Sequence, residues 1–433
     1  MAIIETNLKQ ICKLVTDGTH DSPKLQPEGI PFIKGKHISN GFIDFANSDF
    51  ITFEDHLEVI KRSKPEYGDT LFANIGTIGS TAFVGTDSEF SIKNIALFKP
   101  NPEKVDPKYL YYLVTSPVFQ NHFKLSRSGA AQPFISLGTL RSRTFRCESD
   151  LTQQVKIAST LSAFDDLIEN NTRRIQILEE MAQRIYREWF VHFRYPGHEN
   201  EKLVDSGTKL GMIPEGWNIG TFDDLISFSN GYAFKSKELL KEESDECYRI
   251  FKMGQIKKGG GFDASKTKSY IKKDRCVGLD RYVLKSGDIL MSMTDMKASV
   301  ALLGHTALLN VDDRYILNQR VGLIRPNNSV SVSYPYLYLL TNSKPFIDDI
   351  RSRANSGVQV NLSTSGNKKT NVTIPPQEVN ERFDVLSHPK FELIVNLQHE
   401  NDLLIQTRDL LLPKLISGQI DVSDLDIGIG VRS

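Results

Sequence analysis

Two hydrophobic patterns alternate along this chain. In residues 1–150, and again in 213–378, short apolar runs of period two (Thr70 to Phe72, Ala82 to Val84, Ile289 to Met291, Val321 to Ile324) are separated by Gly, Asn, Asp and Pro. Such punctuation predicts short strands and turns. After each stretch the period changes to seven. Leu161, Ile168, Ile175, Ala182 and Trp189 occupy one seam position, and Ile157, Phe164, Asn171, Leu178 and Ile185 the other. After the second stretch, Ile394, Leu397, Asn401, Leu404, Arg408, Leu411 and Leu415 repeat the three-four alternation. Each predicts a long helix with an apolar stripe. Pro389 is expected to limit how far back the second helix extends, because an interior proline removes a hydrogen bond and clashes with the preceding turn. A stripe needs a partner stripe, so the two helices are expected to pair with each other rather than lie each on its own domain, the seam asparagines fixing register. A helix from Ile157 to Trp189 would be about 50 Å long at 1.5 Å per residue, enough to hold two domains apart.

The two strand-rich stretches are copies of one another. Phe32-Ile33-Lys34 followed by His37-Ile38 aligns with Ile250-Phe251-Lys252 followed by Gln255-Ile256. Gly68-Asp69-Thr70-Leu71 aligns with Gly287-Asp288-Ile289-Leu290, and Gly85 with Gly304, at an offset of 219. Leu97-Phe98-Lys99-Pro100-Asn101 aligns with Leu323-Ile324-Arg325-Pro326-Asn327, Tyr109 to Leu113 with Tyr336 to Leu340, and Ser128-Gly129 with Ser356-Gly357. Ordered self-similarity of this kind means duplication. The expected fold class is α+β: two similar mixed domains, each followed by a long helix, the helices forming an antiparallel coiled coil. The boundaries are a first domain at 1–150, a helix at 151–193, a linker at 194–212, a second domain at 213–378, a helix at 379–420 and a tail at 421–433. Tyr195-Pro196-Gly197-His198 and Ile213-Pro214-Glu215-Gly216 punctuate the linker.

Composition narrows the chemistry. With 433 residues, 39% hydrophobic and 24% charged, the chain has material for several cores and is neither disordered nor fibrous. No apolar run approaches the roughly 20 residues of a membrane span, and the amino terminus lacks signal-peptide character, so a cytoplasmic location without membrane contact is expected. Cys12, Cys147, Cys247 and Cys276 are scattered, as reduced thiols would be. Neither a P-loop, nor His-Glu-x-x-His, nor Gly-x-Ser-x-Gly occurs, and the nine histidines have no metal-ligand spacing. The Asn/Asp-Pro-Pro-aromatic signature of adenine-amino methyltransferases is missing too. Asp69 and Asp288 follow glycine at a strand start and read as turn residues. No catalytic or metal site is expected.

Charge location carries more than net charge, which is zero from 53 basic and 53 acidic residues. Lys124 to Cys147 contains no acid but Lys124, Arg127, Arg141, Arg143 and Arg146; the matching stretch Ile350 to Gln377 has Arg351, Arg353, Lys368 and Lys369. Two acid-free segments at matching positions point to surfaces that face polyanions. Arg and Lys hold phosphates or guanine edges, and Gln and Asn pair with adenine, which singles out Ser128, Gln132, Gln359 and Asn361. A second candidate surface comprises Lys34, Lys36, His37, Lys252, Gln255 and Lys257. A third is the loop pair Asn74 to Ser80 and Thr294 to Ser299, with Asn74, Thr77, Thr294 and Lys297. The competing reading is a two-lobed protein scaffold that does not read DNA; loss of DNA binding with salt discriminates the two.

Leu178-Glu179-Glu180-Met181-Ala182-Gln183 through Trp189-Phe190, Ile213-Pro214-Glu215-Gly216-Trp217, and Leu411-Leu412-Pro413-Lys414-Leu415-Ile416-Ser417-Gly418 together resemble the specificity subunit of type I restriction-modification enzymes, over essentially the whole chain. The first domain lacks the Ile-Pro-x-Gly-Trp opening and is expected to begin near residue 1. The resemblance implies a non-catalytic DNA-binding subunit whose two target-recognition domains each read half of a bipartite double-stranded target, spaced by the helices. It also implies two methyltransferase subunits that methylate adenine N6 from S-adenosylmethionine, and restriction and translocation subunits using ATP and Mg²⁺, so that this chain holds no cofactor itself.

Overall fold

The computed structural model describes residues 2–39, 41–124, 134–296, 300–327, 332–356 and 359–426. The chain divides into two compact units, residues 1–171 with 399–433, and residues 172–398. In the first unit, Cys12–Asp17, Ala96–Pro100, Thr70–Phe72 and Thr81–Phe83 form an antiparallel four-stranded sheet in that order. A three-stranded sheet runs Asp49–Ile51, Ile30–Lys34, Ser91–Lys93, its last pair parallel. Ile3–Thr6 pairs with Phe145–Glu148.

The second unit repeats these three sheets. Ile226–Asn230, Val321–Pro326, Ile289–Ser292 and Thr306–Leu308 form the four-stranded sheet. Tyr270–Lys272, Cys247–Phe251 and Tyr315–Leu317 form the three-stranded sheet, again with one parallel pair. Asn218–Thr221 pairs with Asn371–Ile374. The α+β class and the duplication read from the sequence are the observed architecture.

Polar side chains at repeat-equivalent positions do the same work in both units. Gly68 and Gly287 sit at φ 92° and 88°, a left-handed conformation that a Cβ disfavours. The turn each makes presents the following aspartate inward. Asp69 accepts the Glu66 amide at 2.8 Å and the Lys99 ammonium at 2.7 Å. Asp288 accepts the Lys285 amide at 2.8 Å and the Arg325 guanidinium at 2.6 and 2.8 Å. The two aspartates are turn residues, as expected, and also anchor the neighbouring strand. Burial pushes the Asp69 carboxyl up, and Lys99 opposes the shift. Thr81 and Thr115 bond at 2.8 Å, as do Thr306 and Thr341 at 2.9 Å. Helix Pro107–Thr115 is capped by Asp106 and helix Tyr334–Thr341 by Ser333, each with proline in its first turn.

The long helices are Leu151–Tyr186, extended as a π-helix over Arg187–Val191, and Gln377–Ile416. The boundary between units falls inside both. Within the first unit they run antiparallel: Arg408 meets Asp165 at 2.6 Å, and Asn401 donates to the Ile168 carbonyl at 3.5 Å. Within the second, Phe383 packs on Tyr186, Trp189 and Phe190. Of the seam residues, Leu161, Asn171, Ile394 and Leu397 are buried; Ile168, Ile175, Leu178, Ile185, Leu404 and Leu411 are half-buried.

The helices pair as expected, and their segments also enter the cores, so pairing does not exclude packing on a domain. Ile157, Leu161, Leu412, Leu415 and Ile416 share a cluster with Tyr109, Leu113 and Phe119, while Tyr186 and Phe190 pack on Tyr336. One expectation needs correction: Pro389 does not limit the second helix, which passes through it. The carbonyl that a proline at 389 leaves without its helical donor belongs to Val385, at an exposed turn, and the Lys390 ammonium takes the adjacent Leu386 carbonyl at 2.5 Å. All four cysteines are free thiols.

Replacing Lys99 by Met leaves Asp69 buried without its cation. The expected cost is on the order of 2–3 kcal/mol, below the fully buried case because Lys99 keeps some solvent exposure. Lys99→Arg, which installs the residue of the other repeat, should restore most of it. Urea unfolding of the three proteins checks this.

Candidate nucleic-acid interface

Each unit brings together the three stretches singled out in the sequence. In the first, Ile30–Lys34 ends in the 3₁₀ turn Gly35–His37. The Thr77 hydroxyl donates to the Gly35 carbonyl at 3.2 Å. Ile75 bridges Phe134, and the Ile135 amide donates to the Asn74 carbonyl at 2.9 Å. In the second, Cys247–Phe251 leads into the turn Met253–Gln255, and the Thr294 hydroxyl reaches the Met253 thioether at 3.2 Å. Thr294–Met296 pairs with Gln359–Asn361, and the Leu362 amide donates to Met293 at 2.9 Å. A turn, a loop and the acid-free segment therefore make one composite surface in each copy.

Several nominated side chains serve the scaffold of that surface. His37 is 3% exposed and accepts the Lys34 amide on Nδ1 at 3.1 Å; Gln255 is 1% exposed and accepts the Lys252 amide at 2.7 Å. A short turn leaves an amide without an intrahelical acceptor, and both residues supply one. Asn74, also buried, donates to the Ile135 carbonyl at 3.1 Å. These three hold the loops in place and do not present base-reading groups.

Cations divide in the same way. Arg141 donates to the Val15 carbonyl at 2.9 and 2.6 Å, and Arg351 to the Leu303 carbonyl at 2.9 Å. Arg353 pairs with Asp349 at 2.9 Å and Lys368 with Asp223 at 2.8 Å. A segment free of acids in sequence thus has acids beside it in space. Arg143 lies over the Phe123 ring at 5.8 Å. Lys252 donates to Ser269 at 2.7 Å, and burial lowers its pKa. Lys34 and Lys36 both face Asp49, at 2.8 and 3.7 Å, and Lys34 holds that carboxyl below its usual range. Lys36, Lys257 and Lys369 are exposed, as are Thr77 and Asn361. Arg127, Ser128, Gln132 and Lys297 lie outside the described residues, as do the side chains of Lys124 and Gln359. Within the loop Thr294 to Ser299, sequence reasoning named Thr294 and Lys297 but not Met296, which is 53% exposed on the paired strand; the alternation Thr294-Asp295-Met296 was its signal.

Two cavities of the second unit, of about 570 and 980 Å³, include only Arg353 of the nominated polyanion-facing residues, so the candidate surface is not a closed pocket. Among the described residues no group of three or more His, Cys, Asp or Glu is placed to hold a metal, and no helix is long and apolar enough to cross a membrane.

Duplicated α+β units, built around segments of two long helices and each carrying the same composite polar surface, define a class of paired recognition modules. Residues 5–180 and 214–387 match the family described as type I restriction modification DNA specificity domain, and the chain belongs to that family. It is 27% identical over 325 residues to the type I restriction enzyme MjaIX specificity subunit of Methanocaldococcus jannaschii, covering 73% of this chain and 70% of that one. It is 26% identical over 403 residues to the HindI specificity subunit of Haemophilus influenzae, covering 82% and 86%. The crystal structure of a type I restriction-modification S subunit from M. genitalium matches with a TM-score of 0.55 at 14% identity, covering 96% of both chains, which is a likeness of fold.

The repeat supplies a control for His37. Burial first, and then the Lys36 charge, lower its pKa from 6.5. The unfolded chain therefore takes the proton first, so stability is full above that value and declines as pH falls below it. Protonation would also turn Nδ1 into a donor facing the Lys34 amide. His37→Gln, the residue of the second copy, should keep the turn and lose less stability than the parent between about pH 7.5 and 5.5. Thermal melts at both pH values test this; equal losses would refute it.

Proposed function

We propose that this chain is the DNA-reading subunit of a type I restriction-modification complex, each unit recognising one half of a bipartite duplex target. The observation that carries the reading is the repeated convergence of turn, loop and acid-free segment. Chance convergence in one copy is easy, and in both copies it follows from a shared task. On this reading Lys36, Lys257 and Lys369 meet phosphates, and Asn361 meets a base edge. The specificity subunits to which the chain is similar support the assignment.

The two long helices set the spacing of the half-targets, since each runs unbroken from one unit into the other. Chemistry belongs to the partners. Two methyltransferase subunits, carrying S-adenosylmethionine, flip an adenine out of the duplex and methylate its N6. Restriction and translocation subunits, with ATP and Mg²⁺, cut. The chain itself acts as a binding component of that assembly in the cell interior.

Exchanging residues 1–150 for the corresponding domain of another family member should change the bases methylated in one half of the target and leave the other half intact. Mapping methylated adenines in DNA modified by the assembled complex reads this directly, and a change in both halves would refute modular reading. In mobility shifts with the same complex, Lys36→Ala, Lys257→Ala and Lys369→Ala should each weaken binding to all sequences alike and reduce the slope of log affinity against log salt by about one. A complex that binds no DNA would favour a protein scaffold instead.

A further inference from the structure

Within the composite surface of the second unit lies a small three-stranded sheet. Thr294–Met296 pairs antiparallel with Gln359–Asn361, which pairs in turn with Asn355–Ser356. Alternation splits the residues by face. Asp295 and Val360 stand opposite each other and are 6% and 8% exposed, so they point inward. Thr294 stands opposite Asn361, which stands opposite Asn355, and Met296 is on the same outward face. Asn355 and Asn361 are exposed. The outward face is thus a row of Thr, Asn and Asn, with a thioether beside it.

This sheet is braced from behind. Asp295 accepts the amides of Met296 at 2.7 Å, Leu302 at 2.6 Å and Leu303 at 3.3 Å. Arg351 holds the carbonyls of Leu303 and Ala301 at 2.9 and 3.5 Å. Val360 and Leu362 enter the main core of the unit. A fixed backbone is what side chains need to discriminate between base edges. Five polar or ionic contacts behind an exposed apolar Met296 are more than a solvent-facing loop requires.

We infer that this ribbon enters the major groove and reads bases there, Asn361 pairing with a purine edge and Met296 covering a thymine methyl group. The inference rests on the DNA-reading function proposed above. The three strands, about 4.8 Å apart, span about 10 Å between their outer axes, which a groove about 12 Å wide admits and the minor groove, about 6 Å wide, excludes. An Asn amide can accept from adenine N6 and donate to N7, and an apolar side chain distinguishes thymine by its methyl group.

The test uses the complete complex with its methyltransferase partners. Asn361→Ala and Met296→Ala replace exposed side chains, and melting curves verify that both complexes keep the parent's stability. Each should lower discrimination at one or two positions of one half-target by roughly tenfold, with the other half-target and binding to random DNA unchanged. Duplexes in which 7-deazapurines replace the purines of that half lose the major-groove N7 acceptor. They should weaken binding of the parent complex and leave Asn361→Ala nearly unaffected. If the parent discriminates sequences while both variants keep every base preference, the ribbon does not read DNA. If 7-deazapurines weaken parent and Asn361→Ala equally, or neither, the assignment of Asn361 to a major-groove purine is wrong. If the parent complex shows no sequence preference at all, the DNA-reading function fails and the ribbon with it.

Discussion

Everything in this fold depends on the long helices being buried in two ways at once. Their stripes face each other, and the same segments complete the cores of the units. Phe383 is the clearest case: it is fully buried and contacts Tyr186, Trp189 and Phe190 of the first helix as well as Tyr336 of the domain. Ile157 and Leu161 do the same in the other unit with Leu412, Leu415 and Ile416. Neither a helix pair nor a domain alone could bury these surfaces, because an apolar stripe left open to water costs about 25 cal/mol per Å². The core of each unit is therefore incomplete without its own helix segments.

The polar framework obeys a related constraint. A duplicated fold has to satisfy the same buried backbone groups twice, yet the two copies have drifted apart in sequence. What persists is the function of each position rather than its residue. Lys99 becomes Arg325 and His37 becomes Gln255, while the bonded partner atoms stay equivalent; the Thr81–Thr115 pair is kept outright as Thr306–Thr341. An orphaned buried amide or carboxylate costs enough that any replacement must keep an acceptor or a cation in place.

This explains what was legible in the sequence and what was not. Period-seven stripes and the ordered repeat are set by burial, which the identity of residues reports well, so the fold class, both helices and the duplication were readable. The extent of the second helix was not, because the cost of Pro389 depends on whether the freed carbonyl can reach a donor, and that is a property of the helix surface. At the candidate site the three stretches were identifiable, but the roles inside them were not. A histidine that caps a turn and one that meets a phosphate look alike in a string of letters. The neighbours that neutralise Arg353 and Lys368 are Asp349, just outside the acid-free segment, and Asp223, far from it in sequence.

The distribution of divergence then becomes informative. Framework positions that differ between the repeats keep the bond they make: Lys99 and Arg325 each hold a turn aspartate, and His37 and Gln255 each accept the amide three residues before them. Exposed positions such as Lys36 and Lys257 carry less of that demand, because water satisfies a polar group that a buried position would leave without a partner. A common framework can therefore hold a loop surface in place while the side chains on it change. That is the physical condition under which duplicated units could come to recognise unlike things.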